Sequence, residues 1–342
     1  MVIIKKSWFL ALCVALLAVI MAGCSSGPNT EKTPQYPTRP VEILVPATAG
    51  GGTDVNARVI AEFLSKKWGQ PVTIVNKAGK LAEPAGHDLF YNSKPDGYYI
   101  YAETHSASSM QRAFMRERSN LKLEDRAYIA RTIKESICYA VKADAPWKNF
   151  RELTDWVKAN PDKLVWTTAA HAGSLSSFGI NQWLSSAGID GKKTRMMVGG
   201  GAADAINKLL GGHVNLICQN VSEVLPMQQA GKIRVLAVVA DERDKRMPDV
   251  PTAKEAGFPD LNVCWWTGFT GPKGLPDDVV KRWADTIVEV MNDPEFKKKA
   301  AEMNLSLGYL GPEDFKKYVF DEAERYSSLA DKIGLRMTQE SK

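Results

Sequence analysis

The stretch from Pro46 to Asp54 combines small residues and hydroxyls in a way that suits anion binding. Its three consecutive glycines, Gly50 to Gly52, allow a tight turn and leave backbone N–H groups uncovered. A helical pattern follows, and the partial positive charge at a helix N-terminus adds to the attraction. We therefore predict an anion site that needs no lysine or arginine, with Thr48 and Thr53 as further donors. The alternative is that Thr53 or Asp54 simply caps the helix.

A second stretch, from Thr167 to Ser174, repeats this design after another strand-like segment. Thr167, Thr168 and Ser174 supply hydroxyls, and small residues lie between them. Two such turns, well apart in sequence, predict a ligand with two anionic ends or a ligand clamped between two lobes. A third glycine-rich turn, Gly199 to Gly201, either approaches the ligand or allows tight packing. We interpret His171 as a surface residue of its loop, and the alternative is that it contacts the ligand directly.

No catalytic constellation accompanies these turns. The sequence contains no nucleophile elbow, no HExxH, no CxxC, no Walker lysine and no dinucleotide-binding GxGxxG. The four histidines are scattered, and no Cys or His pair has metal-ligand spacing. We therefore predict no catalytic residue, no bound metal and no cofactor. Cys138, Cys218 and Cys264 lie in apolar, strand-like stretches, which predicts buried free thiols.

The elements that must position these turns alternate between strand-like and helical segments. Such alternation predicts an α/β protein with parallel sheets, helices on both faces and ligands at the carboxyl ends of the strands. The C-terminal part instead shows two amphipathic helical stripes, which we interpret as packing helices. The predicted strands cover residues 41–46, 72–75, 98–102, 137–141, 164–168, 195–198, 214–218 and 233–240.

Composition limits the class of protein. The chain has 342 residues, of which 44% are apolar and 24% are charged, and its net charge is +5. These values exclude a polytopic membrane protein, a disordered chain and a fibrous repeat, and the length allows two or three domains. Forty-four basic residues against thirty-nine acidic ones form a mixed surface, so we predict no nucleic-acid partner.

The first 24 residues have the pattern of a targeting signal. Lys5 and Lys6 precede an apolar run of fifteen residues, whereas a membrane-spanning helix needs roughly 20. Met21-Ala-Gly-Cys24 resembles a bacterial lipobox, which predicts a signal peptide over residues 1–23 and lipidation of Cys24. Residues 24–36 then form the lipidated cysteine and a flexible tether. The predicted location is extracytoplasmic, with a membrane anchor through Cys24, and the alternative is an uncleaved N-terminal anchor.

An ordered set of motifs points to one known family. The motifs are YPTRPVEILVP at 36–46, AGGGTD at 49–54, GQPV at 69–72, Asn76, PDGY at 95–98, LLGGHVNL at 209–216, AGKIRVLA at 230–237, PDVPTAKEAG at 248–257 and WTGFTGPKGLP at 266–276. With this set, the chain resembles the substrate-binding proteins of tripartite tricarboxylate transporters, the Bug family. The resemblance runs from about residue 36 to residue 334, which is nearly the whole predicted mature chain.

The resemblance implies a type II periplasmic-binding-protein fold, in which crossover strands join two α/β lobes and a small organic carboxylate binds in the cleft. Lobe 1 comprises residues 37–137 and 251–342, and lobe 2 comprises residues 138–250. The resemblance also implies a protein that is not an enzyme and that delivers its ligand to membrane transporter subunits. The implied ligand residues are Ala47, Thr48, Ala49, Gly50, Gly51, Gly52, Thr53, Thr104, Thr167, Thr168, Ala169, Ser174 and Gln219.

The sequence departs from the family pattern at several positions. Gln219 replaces an aspartate that contacts the ligand in many relatives, and the lost charge favours a ligand without an ammonium group. Thr167 and Thr168 replace the usual Gly-Ser opening of the second lobe, and residues 77–84 replace a glycine-rich stretch. Two alternative functions use the same fold: a lipoprotein enzyme, such as a hydrolase or transferase, and a ligand-sensing receptor component.

Overall fold

The computed structural model describes residues 36–47, 49–77, 83–115, 121–167, 174–332 and 334. Strands and helices alternate through most of these residues, as the sequence pattern predicts. The strands are β1 (Val41–Val45), β2 (Val72–Asn76), β3 (Tyr99–Thr104), β4 (Arg126–Lys142), β5 (Val165–Thr167), β6 (Arg195–Met197), β7 (Leu216–Asn220), β8 (Ile233–Val239), β9 (Cys264–Pro272) and β10 (Leu307–Leu310). The helices are α1 (Gly52–Trp68), α2 (Glu83–Asn92), α3 (Ser109–Met115), α4 (Phe150–Ala159), α5 (Leu175–Ser186), α6 (Ala202–Leu210), α7 (Val221–Gln229), α8 (Asp277–Asn292), α9 (Pro294–Glu302) and α10 (Pro312–Lys332).

Helix α1 illustrates how local sequence sets the limits of an element. Gly51 precedes it with extended backbone (φ −74°, ψ 161°), and Gly69 ends it in the left-handed conformation with φ 65°. Its buried face carries Val59, Phe63 and Leu64 at helical spacing. This apolar face packs α1 on the sheet, so the N-terminus of α1 comes to the carboxyl end of β1.

The sheet has the strand order β2-β1-β3-β9-β4-β7-β5-β6. Its two ends have corresponding arrangements, because β2-β1-β3-β9 at one end matches β6-β5-β7-β4 at the other. β1 pairs in parallel with β2 and β3, and β5 pairs in parallel with β6 and β7. The long strands β9 and β4 run antiparallel to their neighbours and to each other. We call β1–β3, β9, β10 and residues 126–136 of β4 half A. Half B comprises β5–β8 and residues 137–142 of β4.

Strand β4 crosses from one half to the other. Residues 126–136 pair with β9, and residues 137–142 pair with β8. The sequence pattern predicts only 137–141, because buried polar side chains such as Arg126, Thr132 and Glu135 interrupt the apolar run before it. Of β9 it indicates only the apolar stretch around Cys264, because threonines and glycines interrupt the apolar pattern of the remaining strand. These two strands are the crossover strands that the resemblance implies, whereas the lobe limits stay a prediction.

Helix α10 packs on both halves. Its residues Phe315 and Val319 join a buried cluster with Trp266 of half A. Its residue Tyr326 joins a second cluster, which includes Phe178 of half B. The amphipathic stripe predicted for this helix is therefore confirmed as a packing face.

Two further sequence predictions concern the interior and the membrane. Cys138, Cys218 and Cys264 are all buried and free, as predicted. Across the described ranges, no helix is both long enough and apolar enough to cross a membrane. The predicted signal peptide and Cys24 lie outside those ranges.

Candidate functional site

The turn between β1 and α1 leaves a helix N-terminus open. β1 ends at Val45, and α1 begins at Gly52 with Gly51 as its N-cap and no side chain capping it. Gly50 has a φ of 84°, a conformation that favours glycine. The N–H groups of a first helical turn have no carbonyl partner within the helix, so they are suited to bind an anion. Thr48 lies outside the described residues.

Asp54 fixes the shape of this turn. The residue is 2% exposed, and its Oδ2 accepts hydrogen bonds from the Gly50 N–H (2.8 Å) and from Arg58 Nε (2.9 Å). Its Oδ1 accepts a hydrogen bond from Asn76 Nδ2 (2.8 Å), which also lies 3.1 Å from the carbonyl oxygen of Ala47. Burial raises the pKa of Asp54, but the bonds from Arg58, Gly50 and Asn76 together lower it below its usual value. The turn is therefore held by an ionised carboxylate at neutral pH.

The start of α1 has two further features. Its N-cap is Gly51, so the alternative that Thr53 or Asp54 caps the helix is wrong. A Cβ atom at Gly52 would lie 3.4 Å from Cζ2 of Trp265, so the indole of Trp265 lies against the first turn. No sequence signal identifies Trp265 as a neighbour of this turn, because only the fold places a crossover strand beside it.

The end of β3 brings a threonine and a histidine to the same sheet edge as the β1 turn. Thr104 is buried, and its Oγ1 accepts a hydrogen bond from the Ala107 N–H at 3.2 Å, which closes a short 3-10 turn. His105 is also buried, and its Nε2 lies 2.9 Å from Ser106 Oγ. Burial lowers the pKa of His105 to about 4, so the imidazole is neutral at neutral pH. His105 belongs to the stretch 103–106, which the family resemblance implies lines the cleft, but only Thr104 of that stretch is among the implied ligand residues.

A buried ion pair supports this strand end. Glu103 Oε2 accepts hydrogen bonds from Arg126 Nη1 (2.6 Å) and Thr270 Oγ1 (2.9 Å), and both ionic side chains are fully buried. Arg126 Nη2 in turn donates to the carbonyl oxygen of Ala107 (2.7 Å). The pair therefore links β3, β4 and β9 to the turn that follows Thr104.

In half B, two of the predicted hydroxyls hold local structure. Thr167 Oγ1 at the end of β5 donates to the carbonyl oxygen of Met197 (2.9 Å). Ser174 is the N-cap of α5, and its Oγ accepts a hydrogen bond from the Ser177 N–H (3.4 Å). Thr168 and Ala169 lie outside the described residues. A ligand role for this loop stays a prediction.

Gln219 is a predicted ligand residue with an unsatisfied buried group. It lies on β7, is 2% exposed, and its Nε2 has no hydrogen-bond partner. Leaving a buried donor unsatisfied costs roughly 1–3 kcal/mol, so an acceptor atom of a ligand at this amide is favoured.

The helix that follows Gln219 begins with a titratable contact. Asn220 is the N-cap of α7, and its N–H donates to Glu223 Oε2 (3.2 Å). Burial, with a contribution from the nearby Glu135 carboxyl, raises the pKa of Glu223 to about 7. The carboxyl that shapes this turn therefore changes its charge near neutral pH.

The fold brings the predicted site residues together within each half. β1 and β3 are parallel neighbours, so the segments after Val45 and the end of β3 at Thr104 share one sheet edge. β5 and β7 are also parallel neighbours, with Thr167 opposite Ile217, so Thr167 and Gln219 share the corresponding edge of half B. Among the described residues, no hydrogen bond joins a predicted site residue of half A to a predicted site residue of half B. One ligand between the two edges therefore stays a prediction.

A surface cavity lies elsewhere on the sheet, and the described residues contain no cluster of metal-ligating side chains. In the part of the chain that the structure describes, no group of three or more His, Cys, Asp or Glu side chains could hold a metal ion. A surface cavity of about 410 Å³ is lined by Arg39, Glu42, Lys94 and Asp96. It lies at the amino ends of β1 and β3, on the opposite edge of the sheet from the glycine turn.

Comparisons with known proteins agree with one another. The model of the family described as tripartite tricarboxylate transporter family receptor matches residues 56–335. The chain is 27% identical to a UPF0065 protein from the gbd 5′ region of Cupriavidus necator, over 98% of this chain and 100% of that protein. Among solved structures it is similar to the periplasmic binding protein BugD, with 27% identity, 89% and 100% of the two chains covered and a TM-score of 0.74. It is also similar to an R. palustris protein with adipate, with 26% identity, 87% and 98% coverage and a TM-score of 0.76.

Proposed function

Because the chain belongs to the tripartite tricarboxylate transporter receptor family, we propose that it is an extracytoplasmic solute-binding protein for a small organic carboxylate. In this proposal it delivers the ligand to membrane transporter subunits of the tripartite tricarboxylate type. The family match confirms the resemblance seen in the sequence, and the similarity to BugD confirms the type II periplasmic-binding-protein fold. The function itself is supported by the geometry of the two sheet edges.

The observation that carries the proposal is the open N-terminus of α1. It lies at the carboxyl end of β1, the central strand of its parallel core, where α/β proteins bind ligands. No side chain caps it, and the Asp54 carboxylate holds the preceding turn in place. Hydrogen bonds to a charged group contribute roughly 1.5–3 kcal/mol each, so several backbone donors support micromolar binding of a carboxylate.

We further infer that the ligand carries no ammonium group. The donors at the two edges are uncharged: the N–H groups of α1 and the Gln219 amide. The acid of the glycine turn, Asp54, already accepts three hydrogen bonds, one of them in an ion pair with Arg58. A dicarboxylate without an amine fits this set, as does the adipate named for the R. palustris structure.

Titration calorimetry with a panel of mono-, di- and tricarboxylates tests the proposal. The matched pair is adipate and 2-aminoadipate, which differ by the ammonium group alone. We expect a dicarboxylate of the panel to bind and its amino analogue to bind at least about tenfold more weakly, the effect of one unpaired charge. Mass spectrometry of ligand retained through native purification identifies the natural carboxylate. A chain that binds no carboxylate, or that converts one to product, contradicts the proposal.

The membrane anchor needs its own experiment, because Cys24 lies outside the described residues. We propose that the mature chain begins at Cys24 and is held to a membrane by acyl chains on that thiol. A Cys24→Ala variant should be released from membranes or remain an unprocessed precursor. A variant that is processed and membrane-bound like the wild type would contradict the anchor while leaving the binding proposal intact.

A further inference from the structure

A fully buried carboxyl group on α10 collects four hydrogen bonds. Glu322 has no exposed surface, and its Oε2 accepts hydrogen bonds from Ser109 Oγ (2.5 Å) and Trp266 Nε1 (2.6 Å). Its Oε1 accepts hydrogen bonds from the hydroxyls of Tyr318 (3.0 Å) and Tyr326 (3.1 Å). Burial raises the pKa of this carboxyl, and the four bonds oppose the rise. A carboxyl bonded on both oxygens is a rigid point to which neighbouring elements are attached.

The two donors to Oε2 of Glu322 lie close to the turn after β3. Ser109 is the first residue of α3 and follows the 3-10 turn that contains His105. Its Oγ also lies 3.3 Å from the carbonyl oxygen of His105, but the carboxyl oxygen is closer. Trp266 follows Trp265, the residue whose indole lies against the first turn of α1. These two donors therefore contact the elements that carry the half A ligand edge.

One donor to Oε1 of Glu322, Tyr326, packs against a helix that follows β5 of half B. The ring of Tyr326 packs edge-on against Phe178, with 4.9 Å between the ring centroids, and both residues are buried. Phe178 lies in the first turns of α5, whose N-cap is Ser174. Ser174 ends the second predicted ligand loop. The same carboxyl is thus bonded to residues that contact both ligand-facing elements.

We propose that Glu322 is a positioning residue that holds the turn after β3 and the start of α5 at fixed positions on the two halves. The proposal rests on the proposed function, because these positions matter for binding only if one ligand lies between the halves. The Arg126–Glu103 pair also supports the turn after β3, so loss of one bond to Glu322 loosens the turn without unfolding it.

Tyr318 also donates a hydrogen bond to Glu322, so its removal provides a matched control for the other two donors. Its hydroxyl donates to Glu322 and lies 3.1 Å from Cys264 Sγ, and the Arg131 guanidinium lies 4.6 Å from its ring centroid. Its ring also packs edge-on against Trp266, with 6.1 Å between the ring centroids, and a phenylalanine ring keeps this contact. Cys264 and Arg131 do not belong to the turn after β3 or to α5. Tyr318→Phe therefore removes one hydrogen bond to Glu322 and leaves the ring packing in place.

The experiment compares Ser109→Ala, Tyr326→Phe and Tyr318→Phe in the full chain. Hydrogen exchange of the ligand-free protein is followed in peptides that cover 104–109 and 174–182. We expect Ser109→Ala to speed exchange over 104–109 about tenfold and Tyr326→Phe to speed it over 174–182 by a smaller factor, since each loses one hydrogen bond. Tyr318→Phe should change neither segment. Affinity for the tightest carboxylate of the panel should fall in the first two variants and stay unchanged in the third.

The outcomes separate this proposal from the proposed function. A wild-type chain that binds no carboxylate contradicts the proposed function, while the exchange data still decide whether Glu322 positions the two segments. Equal exchange in all three variants, or an affinity loss in Tyr318→Phe as large as in Ser109→Ala, assigns Glu322 to general stability and overturns the positioning role. Melting temperatures of the three variants establish that each one is folded.

Discussion

The start of α1 and the start of α6 share one local design. In α6, Gly201 is the N-cap, Asp204 Oδ2 accepts a hydrogen bond from the Gly200 N–H (2.8 Å), and Lys208 Nζ lies 2.6 Å from the same oxygen. At the start of α1, Gly51 is the N-cap, and Asp54 Oδ2 accepts hydrogen bonds from the Gly50 N–H and from Arg58 Nε, at the same spacing. An aspartate three residues after an N-cap glycine, with a cation four residues further on, therefore produces the same clamp twice.

The surroundings of the two clamps differ. The side chain of Asp54 is 2% exposed and has a third donor, Asn76, whereas the side chain of Asp204 is 40% exposed. Water screens an exposed ion pair, and burial strengthens one that is fully hydrogen-bonded. The comparison shows that local sequence sets the form of a helix start, while its surroundings decide whether the start is rigid enough to serve as a binding site.

The largest expected effect separates the two aspartates. Asp54→Asn should lower the free energy of unfolding by about 2–4 kcal/mol, because the new amide cannot accept all three hydrogen bonds and the Asp54 carboxylate is buried. Asp204→Asn should change stability far less, because the Asp204 carboxylate is itself 40% exposed. Urea unfolding of both variants measures the difference. Equal losses would mean that burial does not distinguish the clamps.

The next prediction compares the two N-cap glycines. Gly51 has extended backbone that any residue adopts, so Gly51→Val should leave stability nearly unchanged and weaken carboxylate binding about tenfold or more by covering the N–H groups. Gly201 has a φ of 128°, so Gly201→Val should cost about 1–2 kcal/mol of stability through backbone strain. Calorimetric affinity and unfolding free energy are measured for both variants. If Gly51→Val binds the ligand as the wild type does, the site lies elsewhere.

A smaller effect is expected at the half B edge. Gln219→Leu removes the unsatisfied Nε2 donor at similar volume, so carboxylate affinity should fall about tenfold, while stability is kept or slightly improved. Gln219→Glu places a carboxylate at the same position and should weaken binding further through like-charge repulsion. The measurement is calorimetric titration with the tightest carboxylate of the panel. Tighter binding by Gln219→Glu would contradict the inference that the ligand lacks an ammonium group.

The last prediction concerns the pH dependence of stability, for which the two halves should respond in opposite directions. The pKa of Glu223 in the folded protein is raised from 4.5 to about 7, so its contribution to stability is present below pH 4.5 and is lost as pH rises through 7. The lowered pKa of Asp54 has the opposite sign: its contribution is present above about pH 3.8 and is lost as the pH falls further.

Urea unfolding of wild type and Glu223→Gln at pH 5 and pH 8 measures how much Glu223 contributes to the pH dependence of stability. The wild type should lose more stability between these two values than the variant, because the variant has no titrating group at this position. Identical pH dependence in both proteins would show that Glu223 does not titrate near neutrality. The same comparison of Asp54→Asn with wild type below pH 4 tests the opposite sign in half A.

Much of the fold and part of the site could be predicted from the sequence. The ordered motifs identified the family, and the alternation of strand-like and helical segments located strands such as β1 and β2 to within a residue or two. The glycine turn before α1 was also predicted, because its geometry depends on residues within one helical turn of each other. Polar strand segments were the exception: the first part of β4 and the part of β9 that is rich in threonine and glycine carry no apolar pattern.

The tertiary structure alone decided which of these features form a site. Asp54 acquires Asn76 from 22 residues away, Trp265 reaches Gly52 from a crossover strand, and Gln219 is buried without an acceptor. Local sequence determines turns and helix starts because their hydrogen bonds close within a few residues. Burial and long-range partners depend on how distant strands pair, and they bury the aspartate of one of two similar helix starts while the aspartate of the other stays exposed.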